Sequence, residues 1–232
     1  MPISAKIRDY MERASWIRRM FEQGIELKAK IGADKVFDFS LGNPNLEPPG
    51  LVRKTILEVM GDERPGKHAY MPNAGLRETR EAVAGFLAKE HKVPITWEQV
   101  IMTCGAGGAL NVALKTVLDP GDEVLVLSPY FVEYLFYIDN HNGVGKLAKT
   151  NDDFTLNFDE SESAITPKTN AIILNSPNNP SGRIYDEPSL KKLGKRFEEI
   201  KESSNRTIYL LSDEPYSKIV YDGARVPSIF QA

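Results

Sequence analysis

From residue 99 onward, short runs rich in Val, Ile and Leu alternate with segments of helical periodicity, and this rhythm limits the chain to few architectures. The runs at 99–103, 123–127, 144–150, 171–175 and 207–211 predict strands, and 105–118, 131–140 and 187–201 predict helices between them. Successive strands joined through helices lie parallel, and the crossover helices then cover both faces of the sheet. The expected fold class is therefore α/β, a mostly parallel sheet with helices on both faces.

The sequence before residue 99 has another character. Ile7, Tyr10, Met11, Ala14, Ile17 and Phe21 recur at helical spacing, so an N-terminal helical segment is expected, closing near Gly32. A short strand is expected at 36–39, followed by the irregular, proline-rich LGNPNLEPPG and by helices around 49–60 and 75–91.

Composition narrows the partners. A formal net charge of −3 with mixed signs gives no basis for a nucleic-acid or membrane surface. The Lys191–Arg196 cluster, followed by Glu198 and Glu199, reads as a solvated helix face. Cys104 is the sole cysteine, which precludes an intrachain disulfide and suits a reducing compartment. His68, His91 and His141 lack ligand-like spacing, so no metal site is expected. The N-terminus lacks the apolar core of a signal peptide, and the expected location is cytoplasmic.

In doubly wound sheets ligands bind beyond the carboxyl ends of the strands. Four predicted strand ends carry chemistry. TCGAGGAL (103–110) is a glycine loop opening a helix, where free N–H groups and the helix dipole favour a phosphate. A dinucleotide fingerprint competes, but Leu110 stands where its third glycine belongs; a plain glycine turn also fits. SPYFVEY (128–134) offers Phe131, either to the core or flat against a planar ligand. NSPNNPSG (175–182) is a turn whose asparagine amides could serve a ligand oxygen. LLSDEPY (210–216) ends an apolar run in Asp213, which could cap a helix or meet a cation such as a protonated ring nitrogen.

Phosphate loop, aromatic, amide and aspartate together outline a pyridine ring bearing a phosphate. The sequence resembles the class I/II aminotransferases of the aspartate aminotransferase fold, through FSLGNP (39–44), HAYMPNAGLRETREAVAGF (68–86), MTCGAGGALNVALKTVLDPGDEVLVLSPYF (102–131), NSPNNPSGRIY (175–185) and SDEPYSKIVYDG (212–223). The resemblance implies pyridoxal 5′-phosphate as cofactor and amino-group transfer between an amino acid and a 2-oxo acid. It implies cofactor contacts for Gly105, Ala106, Gly107, Phe131, Asn179, Asp213 and Tyr216. Asp213 would pair with the pyridine nitrogen, while Tyr216 and Asn179 share the ring oxygen. Gly42 would lie near the substrate carboxylate, and Asn179 would contact the substrate as well. Tyr70 would reach the phosphate in a partner subunit, which implies a homodimer with shared sites. Residues 1–45 would form an arm belonging with the small domain, and 46–232 the large cofactor domain.

One element of the pattern is missing. The family's Schiff-base lysine lies beyond the aspartate in a serine- and glycine-rich loop, and Lys218, five residues after Asp213, matches a different position. The expectation is an N-terminal portion of an aminotransferase, inactive alone. A lyase on the same scaffold, or a non-catalytic binding module, are the alternatives.

Overall fold

The computed structural model describes residues 3–13, 15–40, 42 and 46–231. The chain divides into two compact units, Met1–Ala69 and Tyr70–Ala232. The first contains helices α1 (Ala5–Arg13), α2 (Ser15–Ile31) and α3 (Gly50–Gly61). The second contains α4 (Arg77–His91), α5 (Gly105–Val117), β1 (Glu123–Ser128), α6 (Glu133–Asn140), β2 (Val144–Lys149), α7 (Phe158–Ala164), β3 (Thr169–Asn175), α8 (Glu187–Ser204) and β4 (Tyr209–Asp213).

The strand expected at 36–39 does not form. No ladder partner faces it among the described residues, and the Asp38 carboxylate instead ties the segment to α2. It accepts from Lys28 Nζ at 2.8 Å and from Ser40 N and Oγ at 3.0 and 2.6 Å. Gly24 permits this approach, since a Cβ there would stand 2.8 Å from Asp38 Oδ2. Phe37 and Phe39 are left almost wholly exposed.

In the second unit the four strands form one parallel sheet in the order β2-β1-β3-β4. β1 and β3 are central, and their near-continuous burial explains why they read as unbroken apolar runs rather than alternating ones. β2 is an edge strand carrying Lys146 and Lys149, charges that discourage further pairing. Helices cover both faces. α5 and α6 bury Leu110, Leu114, Tyr134 and Ile138 against Val124, Val126, Ala171 and Ile173, and α8 buries Leu190 and Leu193 against Leu125, Leu127, Ile172 and Leu174.

Three local outcomes differ from the sequence reading. The expected strand at 99–103 is a 3₁₀ turn at Trp97–Gln99 followed by unpaired backbone. Met102 N reaches Ala74 O at 3.0 Å, but one bond is not a ladder. Polar α7 was not foreseen, although Asn157 caps it by accepting from Glu160 N at 3.1 Å. Finally, the last ladder extends to Asp213, which pairs in register with Asn175.

Burial makes stability sensitive to alkali. Tyr185 is 3% exposed, and desolvation pushes its phenol up to about 12 from 10.0. A folded-state pKa above the unfolded value contributes stability that is complete below pH 10 and is lost as pH rises toward 12. The unfolded tyrosine ionises first and draws the equilibrium toward it. Urea midpoints are expected to fall across this window, with Tyr185 contributing on the order of 2–3 kcal/mol. Tyr185→Phe should flatten the profile; an unchanged slope would show that Tyr185 ionises freely.

Candidate active site

The order in which successive strands are laid down reverses at β1, although all strands run parallel. β2 lies on one side of it, and β3, next in sequence, lies on the other. This is the topological switch point of an open α/β sheet, where a crevice opens beyond the carboxyl ends of the strands. A cleft lies there, lined by Ala106, Gly107, Phe131, Tyr134, Tyr137, Asn175, Asn179, Asp213 and Tyr216, together with Leu110 and Pro215.

Each wall has a local cause. Gly105 takes φ 70°, a left-handed conformation that glycine adopts without a Cβ clash, and turns the chain into α5. Cys104, at the N-cap, supplies no side-chain hydrogen bond; Gly105 N turns back to Thr103 O at 3.0 Å, and the N–H groups of Ala106 and Gly107 keep their donor capacity. Phe131 packs partly on the core, as one of its two sequence readings expects, and also lines the cleft. Its ring meets Tyr134 edge-on, with centroids 5.6 Å apart.

Asp213 is the centre of the polar network. The chain enters a turn directly after it and no helix begins there among the described residues, so the helix-cap alternative falls away. The buried Tyr134 hydroxyl donates to Asp213 Oδ2 at 2.5 Å. Burial first, and then this carboxylate, hold the Tyr134 phenol far above the ordinary tyrosine range, so it remains a donor. Asn175, at the end of β3, donates through Nδ2 to Asp213 O at 2.8 Å and accepts from Asn179 N at 2.6 Å. Asn179 Nδ2 in turn lies 3.3 Å from Tyr216 Oη. One asparagine thereby links the strand end carrying Asp213 to the turn carrying Asn179.

Among the described residues no Lys, Arg or His lines this cleft. A 9%-exposed carboxylate facing a cavity with no protein cation favours a ligand that brings a positive charge. Lys218 points elsewhere, pairing with Glu90 and standing over the Phe86 ring at 5.5 Å.

The structure thus gathers Ala106, Gly107, Phe131, Asn179, Asp213 and Tyr216 at one place, with Gly105 at the turn that begins α5. Tyr70, first residue of the second unit, is fully exposed and does not line the cleft. Gly42 lies in the first unit, exposed and irregular, and Asn43, Pro44 and Asn45 beside it fall outside the described residues. Sequence reasoning missed Tyr134, Tyr137 and Asn175. Tyr134 and Asn175 at least stand within quoted strand-end motifs, whereas Tyr137 lies outside them, and the groups they meet are 79, 38 and 30 residues away respectively.

Comparison with known proteins agrees with this architecture. A family model described as aminotransferase class I and II matches residues 34–231. A probable aspartate/prephenate aminotransferase of Aquifex aeolicus is 37% identical over 205 residues, covering 88% of this chain and 49% of its own length. A probable aspartate aminotransferase of Methanocaldococcus jannaschii is 34% identical over 185 residues, 80% of this chain and 47% of that protein. The chain spans about half the length of the curated relatives it matches. Among solved structures, an amino transferase from Eubacterium rectale superposes with TM-score 0.92 at 34% identity, over 100% of this chain and 59% of that one. The aspartate aminotransferase of Thermus thermophilus with maleate gives TM-score 0.82 at 30% identity, over 100% of this chain and 57% of its own. The chain belongs to the class I and II aminotransferases.

Proposed function

We propose that this chain is the cofactor-cradling portion of a pyridoxal 5′-phosphate-dependent aminotransferase that moves an amino group between an amino acid and a 2-oxo acid. The observation that carries the reading is Asp213. It is a buried carboxylate in a cleft without a protein cation, matched by a ligand with a protonated ring nitrogen. When bound, the cofactor supplies an electron sink for bonds at the amino acid's α-carbon.

The chain's own residues have separate tasks in this proposal. Gly105 shapes the turn, and Ala106 and Gly107 present main-chain donors to the phosphate. Phe131 walls the ring, and Asp213, fixed by Tyr134 and Asn175, keeps the ring nitrogen protonated. Tyr216 and Asn179, already within 3.3 Å of each other, hold the ring oxygen. Gly42 leaves room for the substrate carboxylate. Tyr70, free of the cleft and fully exposed, reaches the phosphate of a second copy. Residues 1–45 pack with the small domain and 46–232 form the large one.

The Schiff-base lysine would come from sequence not included among these 232 residues. The half-length coverage of the relatives and the absence of a described lysine in the cleft support this. The names of the relatives, aspartate and aspartate/prephenate aminotransferases, make aspartate the first amino donor to try.

The test uses the natural gene product, loaded with the cofactor and given 2-oxoglutarate with aspartate or an aromatic amino acid. Glutamate formation in step with amino-acid loss is the expected result. Release of ammonia and pyruvate without a 2-oxo acid would instead establish a lyase. A product that binds no cofactor would be a non-catalytic module.

A further inference from the structure

One polar group in the cleft has no task in that reading. Tyr137 lies on α6, one turn after Tyr134, so both phenols project from the same side of the helix. Tyr134 goes down to Asp213, whereas Tyr137 leans across to the start of α5. A Cβ at position 107 would stand 2.9 Å from Tyr137 Oη and 3.4 Å from Cζ. Glycine at 107 therefore makes room for a hydroxyl held over the first turn of α5.

That hydroxyl is unspent, since no hydrogen-bond partner is found for it among the described residues. Beneath it the first-turn amides lack a side-chain cap. The ring is partly buried and packs on the α5–α6 core, so its position is set by the fold. We propose that Tyr137 is a phosphate-binding residue of this site, its hydroxyl donating to the same phosphate that the first turn of α5 receives.

Proton retention suits that role. Burial first, then the charges of Glu133 and Asp213, push the Tyr137 phenol up from its ordinary value, which keeps it a donor at neutral pH. The arrangement also gives Gly107 a second meaning. A side chain there would displace the donor even though alanine is the better helix former.

The inference rests on the cofactor reading above, and the experiment separates the two. Calorimetric titration of the cofactor-free natural gene product uses pyridoxamine 5′-phosphate and pyridoxamine, ligands that need no lysine. Tyr137→Phe keeps the ring and the packing. It is expected to weaken the phosphorylated ligand about tenfold, as for one hydrogen bond to a charged group, and to leave pyridoxamine unchanged. Gly107→Ala should lose a similar factor, and the double variant little more, because both remove the same donor. Tyr137→Phe that binds pyridoxamine 5′-phosphate as tightly as the wild type, or that loses both ligands equally, overturns the role of Tyr137 alone. A wild-type protein that does not prefer the phosphorylated ligand overturns the cofactor reading and this inference with it.

Discussion

Asp213→Ala is expected to weaken pyridoxamine 5′-phosphate binding by at least about 100-fold, the largest functional effect of any single substitution in the cleft. The carboxylate is buried, and no described side chain in the cleft offsets its charge. A protonated ring nitrogen meeting it in a low-dielectric wall gains far more than the same pair would in water. Asp213→Asn distinguishes charge from shape. It can still accept from Tyr134, so the strand end should hold its position, yet it cannot favour a protonated ring. Affinity is expected to fall nearly as far as in the alanine variant. An asparagine variant with wild-type affinity would show that hydrogen bonding, and not charge, holds the ring.

Leu114→Ala is expected to cost about 2–5 kcal/mol, read as a lower urea midpoint with an unchanged slope. Leu114 is 0% exposed and sits in the C-terminal part of α5, in the layer that seats this helix on Val124, Val126, Ala171 and Ile173. The interior around it is too tightly packed to close over the lost atoms. Since α5 also begins at the glycine turn of the cleft, ligand affinity is expected to fall in the same variant. A loss below about 1 kcal/mol would mean that α5 is only loosely docked.

The sheet was legible in the sequence because buried central strands carry their own signature. β1 and β3 are runs of Val, Ile and Leu bounded by turn residues, and α8 begins at Asp186-Glu-Pro with the aspartate as cap. Segments 36–39 and 99–103 carried comparable apolar signals but formed no strand, because a strand is a pairing and no partner reaches either one among the described residues. For α7 the difficulty was reversed. FDESESA has almost no apolar periodicity, and only Asn157 announced it. In the cleft, the residues supplied by motifs could be named in advance. Tyr134, Tyr137 and Asn175 could not be, because what each touches depends on how α5, α6 and β4 come together. Spacing along the chain does not carry that information.

The register between β3 and β4 has a consequence for how this chain can vary in length. Asn175 faces Asp213 across the final rung, and the asparagine amide closes onto the aspartate carbonyl. An inserted or deleted residue within either strand would move the carboxylate about 3.3 Å along the sheet and turn it to the opposite face. The same change after α8, in the exposed stretch around Asn205, would be absorbed before β4 begins. Insertions and deletions should therefore gather in that stretch, leaving 171–175 and 209–213 as a fixed ruler against which the aspartate is set.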